Sequence, residues 1–130
     1  MIDTNILLDW LLDRDALRTR QIDALLAESK ELYVADVVVV ELAFALERHY
    51  ELPRDVVADS LKSVLTEPAL GCDHALFQRV IGEYETHPAW SFLDCYLVCY
   101  SELRHISPVW TYDKKLVRQS GGRAKEPRDL

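Results

Sequence analysis

Four acidic residues stand inside apolar stretches of the sequence, where a carboxylate is unusual. They are Asp3 in MIDTN, Glu41 in VVVVELAFAL, Asp94 in SFLDCYLVC and Asp113 in VWTYDKKL. A single acid of this kind is most simply a helix cap or a solvated side chain. Four carboxylates brought together would repel one another and lose hydration, so a cation would be needed to neutralise them.

The chemistry of such a group follows from its ligand atoms. Carboxylate oxygens without His or Cys favour Mg²⁺ or Mn²⁺ over zinc, as one ion or as two. Ions of this kind polarise a phosphoryl oxygen and activate a bound water, which is the chemistry of phosphodiester hydrolysis. We expect Asp3 and Asp94 to bind the metal directly, and Glu41 and Asp113 to bind it through water.

Two neutral polar residues stand close to these acids. Asn5 and Thr111 each lie two positions from an acid, Asp3 and Asp113 respectively. If each pair shares a strand, alternation places both members on one face. Thr111 is then expected to orient Asp113, and Asn5 to orient Asp3 or a bound water, as supporting residues of a cofactor site. Turn or cap chemistry explains the same two residues equally well.

The pattern of apolar residues supplies the elements that would position these side chains. Alternating strands and helices predict one mostly parallel sheet covered on both faces, an α/β fold. Asp3 and Asp113 are expected to close strands, while Glu41 and Asp94 lie in the first turns of helices, with Asp36 as the cap before Glu41. The predicted strands are 1–6, 31–35, 69–72, 108–113 and one near 123–126; the predicted helices are 7–13, 17–29, 37–50, 53–66, 73–86, 91–106 and a short one after 113.

Composition limits the class of protein. With 130 residues, 49% hydrophobic and 28% charged, the chain is expected to form a single globular domain over 1–130. No apolar run is long enough for a membrane span, and the acids near the start are unlike a signal peptide. Three cysteines without CxxC spacing suggest neither a disulfide framework nor a zinc site, so we expect reduced thiols in a cytoplasmic protein.

The charge distribution is uneven. The net charge is −7, yet residues 113–130 carry 6 Lys and Arg against 3 Asp and Glu. An acidic body is not typical of a nucleic-acid-binding protein, which would need a local basic patch. The residues that could form such a phosphate-holding rim beside Asp113 are Lys114, Lys115, Arg118, Arg123 and Lys125, although a solvated helix face is the simpler interpretation of each.

The ordered motifs IDTNILL, a Glu in the next strand–helix unit, FLDCYLV and TYDKKL resemble the PIN domain family, and within it the single-domain VapC-type toxins. The resemblance spans nearly the whole chain. It implies an α/β/α three-layer sandwich and a Mg²⁺- or Mn²⁺-dependent ribonuclease, with Asp3, Glu41, Asp94 and Asp113 as the acidic quartet. It also implies a homodimer and, commonly, a VapB-type antitoxin partner that blocks the site.

Two other hypotheses remain open from the sequence. Ala35 stands where many members of the family carry Ser or Thr, and Ser91 stands where some carry a further Asp. A first strand clipped before Asp3, Ala35 and the acidic body would suit a PIN-like module that binds protein without catalysis. A metal-dependent phosphohydrolase acting on small substrates is the third possibility, and the basic end of the chain speaks slightly against it.

Overall fold

Four helices begin at a side chain that accepts hydrogen bonds from otherwise free backbone amides. In the computed structural model, which describes residues 1–130, these caps are Asp3, Asp15, Ser91 and Asp113. The first amides of a helix have no partner within the helix, so a short oxygen-bearing side chain at this position stabilises the helix start. The caps therefore help to determine where these four helices begin.

The contacts between residues divide the chain into two compact units, Met1–His74 and Ala75–Leu130. In the first unit, α1 packs on α2 and α3, and α4 packs on α3 and β2. Its core contains Leu7, Val34, Leu42 and Leu61, all buried. The elements of this unit are α1 Thr4–Leu12, α2 Ala16–Glu28, β1 Leu32–Tyr33, α3 Asp36–Phe44, a π-helical turn Ala45–His49, α4 Arg54–Thr66 and β2 Leu70–Gly71.

In the second unit, α6 packs on β3, and α7 packs on β4. Phe77, Tyr84, Trp90 and Cys99 are buried in its core. Its elements, the first of which starts one residue before the unit, are α5 His74–Thr86, α6 Phe92–Leu103, β3 Val109–Trp110, α7 Lys114–Gln119, β4 Ala124–Lys125 and a 3₁₀ turn Pro127–Asp129.

The strands pair in parallel, as predicted, but they form two separate sheets of two strands. β1 pairs with β2 and β3 pairs with β4, so the crossovers contain α3 and α4 in one unit and α7 in the other. The α/β character is confirmed. The three-layer sandwich around one central sheet, and the single domain over 1–130, stay predictions.

The predicted first strand over 1–6 is wrong. Only Ile2 takes part in strand-like pairing, through its N–H to the carbonyl of Tyr33 at 2.8 Å, and the helix already begins at Thr4. The reason is Asp3: its side chain caps the amide of Asn5, which commits the chain to a helix three residues before the apolar run that predicted it. The predicted helix 7–13 is thus longer at its start and ends at Leu12.

The remaining elements agree closely with the predictions. The Val-rich segment is helical despite the β propensity of valine, because Val39, Leu42 and Ala43 are buried on one side of α3. Gly121 and Gly122 form a turn between α7 and β4 at φ +64° and +90°, a backbone region that favours glycine. No helix has the length and apolar composition that crossing a bilayer requires.

One ion pair, between buried Asp9 and the more exposed Arg14, links α1 to the elements that follow it. Asp9 is only 4% exposed, and its carboxylate accepts a hydrogen bond from Arg14 Nε at 2.8 Å. Arg14 also donates to the hydroxyl of Tyr50 at 2.7 Å and to the carbonyl of Asn5 at 3.1 Å. Nothing in the sequence spacing pointed to this network, since Tyr50 lies 36 residues from Arg14.

We predict that Asp9→Asn lowers the free energy of unfolding by about 2–3 kcal/mol, because it removes the charge that pairs with Arg14 at a buried position. Urea unfolding followed by circular dichroism measures the change. Asp23→Asn, which alters an exposed acid of α2, is the control and should stay within about 0.5 kcal/mol of the parent. An equal effect of the two substitutions would show that the buried pair adds nothing.

Candidate metal site

Asp3 lies at the start of α1 and not at the end of a strand. Its Oδ1 accepts a hydrogen bond from the backbone N–H of Asn5 at 2.6 Å. Asn5 is therefore in the first helical turn, and the prediction that strand alternation puts its side chain beside that of Asp3 is wrong. Asp3 and Asn5 are both exposed, and the support that Asn5 gives Asp3 comes from its backbone.

Glu41 is the sixth residue of α3 and so lies in its second turn. Ala35, and not Asp36 as predicted, occupies the cap position. The side chain of Glu41 is exposed. Val37 and Phe44, which are 69% and 62% exposed, lie on the same side of the helix. This face of α3 therefore presents a carboxylate between two apolar side chains.

Asp94 is the only one of the four acids that is half-buried. It is the third residue of α6, and its amide donates to the hydroxyl of the cap Ser91 at 3.0 Å. Burial raises the pKa of Asp94, and the charge of Asp113 raises it further, while hydrogen bonds from the Ser91 hydroxyl and amide oppose the shift. The second unit thus brings two of the predicted carboxylates close enough to interact, and the ionised pair is unfavourable.

Asp113 lies three residues beyond the end of β3, so it does not close that strand as predicted, and it caps α7. Its Oδ1 accepts from the amide of Leu116 at 3.0 Å, and its own amide donates to Thr111 Oγ1 at 3.0 Å. The amide of Thr111 in turn donates to the carbonyl of Lys125 in β4, also at 3.0 Å. Thr111 therefore fixes the backbone at Asp113, and its part as a supporting residue of a metal site stays a prediction.

The predicted basic rim separates into two kinds of residue. Lys114, Lys115 and Arg118 are exposed on α7, where they can reach a polyanion. Arg123 cannot, because its guanidinium lies between the carboxylates of Glu83 and Glu102 in ion pairs, and its inclusion in the rim is corrected. This arginine holds α5, α6 and the start of β4 together.

The cysteines have the inert character that the sequence suggested. Cys95 and Cys99 are buried in α6, and no cysteine is bonded to another. Burial raises the pKa of Cys99 to about 11, and that of Cys72 also to about 11. Neither thiol has the lowered pKa of a reactive thiolate.

The structure contains no preformed group of three or more His, Cys, Asp or Glu side chains around one point. The pair Asp94 and Asp113 nevertheless fits a hard dication, because both offer oxygen ligands and the charge of Asp113 disfavours the ionised form of Asp94. A cation between them would remove that repulsion. Asp3 and Glu41 belong to the other unit, Met1–His74, and their part as ligands stays a prediction.

We predict that metal-free Asp94→Asn is more stable than the parent at pH 7. A raised pKa means that the folded protein holds this proton more tightly than the unfolded chain, so stability falls as pH rises through the ordinary aspartate pKa to the raised one. The gain should therefore vanish below a pH of about 4. Thermal unfolding in EDTA between pH 3 and 8 measures it, with Asp59→Asn on the exposed side of α4 as the control; a lower midpoint for Asp94→Asn at pH 7 would contradict the assignment.

Comparison with known proteins identifies one family that matches this chain. The comparisons with curated proteins and with solved structures found no significant match. A family model, described as the PIN domain, matches residues 1–121, a range that contains all four acids together with Asn5 and Thr111. Since this match covers nearly the whole chain, the protein belongs to the PIN domain family.

Proposed function

We propose that the protein is a Mg²⁺- or Mn²⁺-dependent endoribonuclease, the toxin of a VapBC-type pair. PIN domains are generally metal-dependent nucleases that typically use these two ions. The observation that carries the proposal to this chain is Asp94, a half-buried carboxylate whose pKa is raised by burial and by the charge of Asp113. A protein keeps such an unfavourable pair most readily where a cation will bind.

The residues have distinct roles in this proposal. Asp94 and Asp113 hold the metal in the second unit, and Asp3 and Glu41 complete the carboxylate set by their match to the family's motif. When bound, the metal would polarise the phosphate and lower the pKa of a water molecule. Thr111 fixes the backbone of Asp113, and Lys114, Lys115 and Arg118 attract the RNA backbone.

The cap bonds are compatible with metal binding by Asp3 and Asp113. Each cap bond uses Oδ1, at 2.6 Å for Asp3 and 3.0 Å for Asp113. Oδ2 of each carboxylate is then free to bind a cation while the helix start stays satisfied. The same side chain can thus stabilise the fold and serve the reaction.

The toxin role, a VapB-type antitoxin and a homodimer form the finer part of the proposal. PIN nucleases bind RNA and often pair with antitoxins. The exposed apolar residues Val37 and Phe44 beside Glu41 are of the kind that partners cover. A small DNA-binding protein encoded in the neighbouring reading frame would support this part of the proposal.

We predict that Asp94→Asn and Asp3→Asn each reduce the rate of RNA cleavage by about 10²-fold or more, because each removes a charged ligand of the metal. Cleavage of a labelled RNA in Mn²⁺ measures the rate, and growth on induction reports toxicity. Asp59→Asn is the matched control and should keep the parent's activity. Cleavage at the parent's rate by the purified Asp94→Asn protein would refute the proposed site.

We also predict that Mn²⁺ stabilises the parent by about 2.7 kcal/mol at a concentration 100 times its dissociation constant, by mass action on the folded state. Thermal unfolding with and without EDTA measures the shift, which should be absent in Asp94→Asn and in Asp3→Asn. A parent that gains no stability from millimolar Mn²⁺ and does not cut RNA would instead support an interaction module without catalysis.

A further inference from the structure

Two large aromatic side chains are exposed directly before Asp113. Trp110 is 49% exposed and Tyr112 is 81% exposed, whereas Val109 and Thr111 between and before them are half-buried. This alternation has the period of a strand, which continues through the bond from the Thr111 amide to the Lys125 carbonyl at 3.0 Å. Trp110, in β3, and Tyr112, two residues beyond it, are therefore both exposed to solvent.

These two rings are also set apart by their lack of aromatic neighbours. Every other Phe, Tyr and Trp of Ala75–Leu130 lies in a ring pair, and the pairs are Phe77–Tyr96, Tyr96–Tyr100, Tyr84–Phe92 and Trp90 with His87. Trp110 only borders a shallow groove of about 330 Å³ with Pro127 and Leu130. The faces of both rings are open to a ligand.

Three lysines outside ion pairs lie next to these rings in register or in sequence. Lys125 is the register partner of Trp110 across the sheet, so the two side chains stand next to each other. Lys114 and Lys115 follow Tyr112 after one acid, and all three lysines are exposed and outside the ion pairs of the structure. Exposed aromatic rings beside free lysines suit a polyanion with planar groups better than an apolar peptide.

We propose that Tyr112 and Trp110 form a stacking platform for the bases of single-stranded RNA next to Asp113, an inference that rests on the ribonuclease function proposed above. A base can stack on a side chain only if it has left its own duplex stack, so the substrate class is an unpaired segment, loop or end. The hydrogen bonds of Thr111 hold the platform at a fixed place relative to Asp113. Tyr112 then stacks on one base of the bound single strand.

Binding to a fluorescein-labelled single-stranded RNA of ten nucleotides, followed by anisotropy in the uncleaving Asp94→Asn background, tests the platform. Tyr112→Ala should weaken binding about tenfold, the effect of losing one stacked base, while Tyr112→Phe keeps the ring and stays within about twofold. Ile106→Ala is the matched control, since Ile106 is 63% exposed and precedes the other end of β3. Binding to a duplex of the same sequence should not respond to Tyr112→Ala.

Unchanged affinity of Tyr112→Ala for the single strand overturns the inference. If sedimentation also shows that this variant loses self-association, the two rings belong to an interface between protein chains. The proposed function is judged separately, by cleavage with the unmodified protein. If the parent and Tyr112→Ala cut RNA with the same KM and kcat, the proposed function stands and the platform is refuted. If the parent does not cut RNA, the proposed function is refuted, whatever the anisotropy shows.

Discussion

The free amides at helix N-termini are the constraint on which the rest of this structure depends. A helix start needs an oxygen acceptor, and Asp3 and Asp113 supply it for α1 and α7. Both residues are also members of the proposed metal-binding set. Because the cap bond fixes the carboxylate through Oδ1, the helix positions the side chain as firmly as the side chain positions the helix. The fold and the proposed chemistry thus depend on the same two carboxylates.

At Asp94, interactions that favour the ionised carboxylate compete with others that disfavour it. Its amide and the Ser91 hydroxyl form a cap that stabilises α6, and hydrogen bonds from Ser91 favour the ionised carboxylate. Burial and the nearby charge of Asp113 oppose ionisation and prevail, so the pKa is raised. Functional sites are where a protein most often tolerates a local conflict of this kind. A hard cation would reverse the balance, since it favours the ionised form of both acids.

Arginine and lysine have separate tasks in this chain. Arg14 and Arg123 form ion pairs that hold helices together. Arg14 pairs with Asp9, and Arg123 pairs with Glu83 and Glu102. A planar guanidinium can satisfy several acceptors at once, which suits it to such junctions. The exposed lysines near Asp113 have no such partners and stay available to solvent or to a polyanion. The net charge of −7 therefore gives no measure of the charge beside the proposed site.

The sequence by itself determined the alternation of helices and strands, the parallel pairing and the order of the four acids proposed as metal ligands, because periodicity and motif order are local properties. It placed Asp3 and Asn5 on a strand, since the apolar run was visible and the cap bond that begins the helix at Thr4 was not. Three features were decided only by the tertiary structure. Arg123 forms an ion pair with Glu102, the charge of Asp113 raises the pKa of Asp94, and Tyr112 is exposed to solvent. The partners of Arg123 are up to 40 residues distant in the chain, and burial depends on which elements pack together, so neither can be read from spacing.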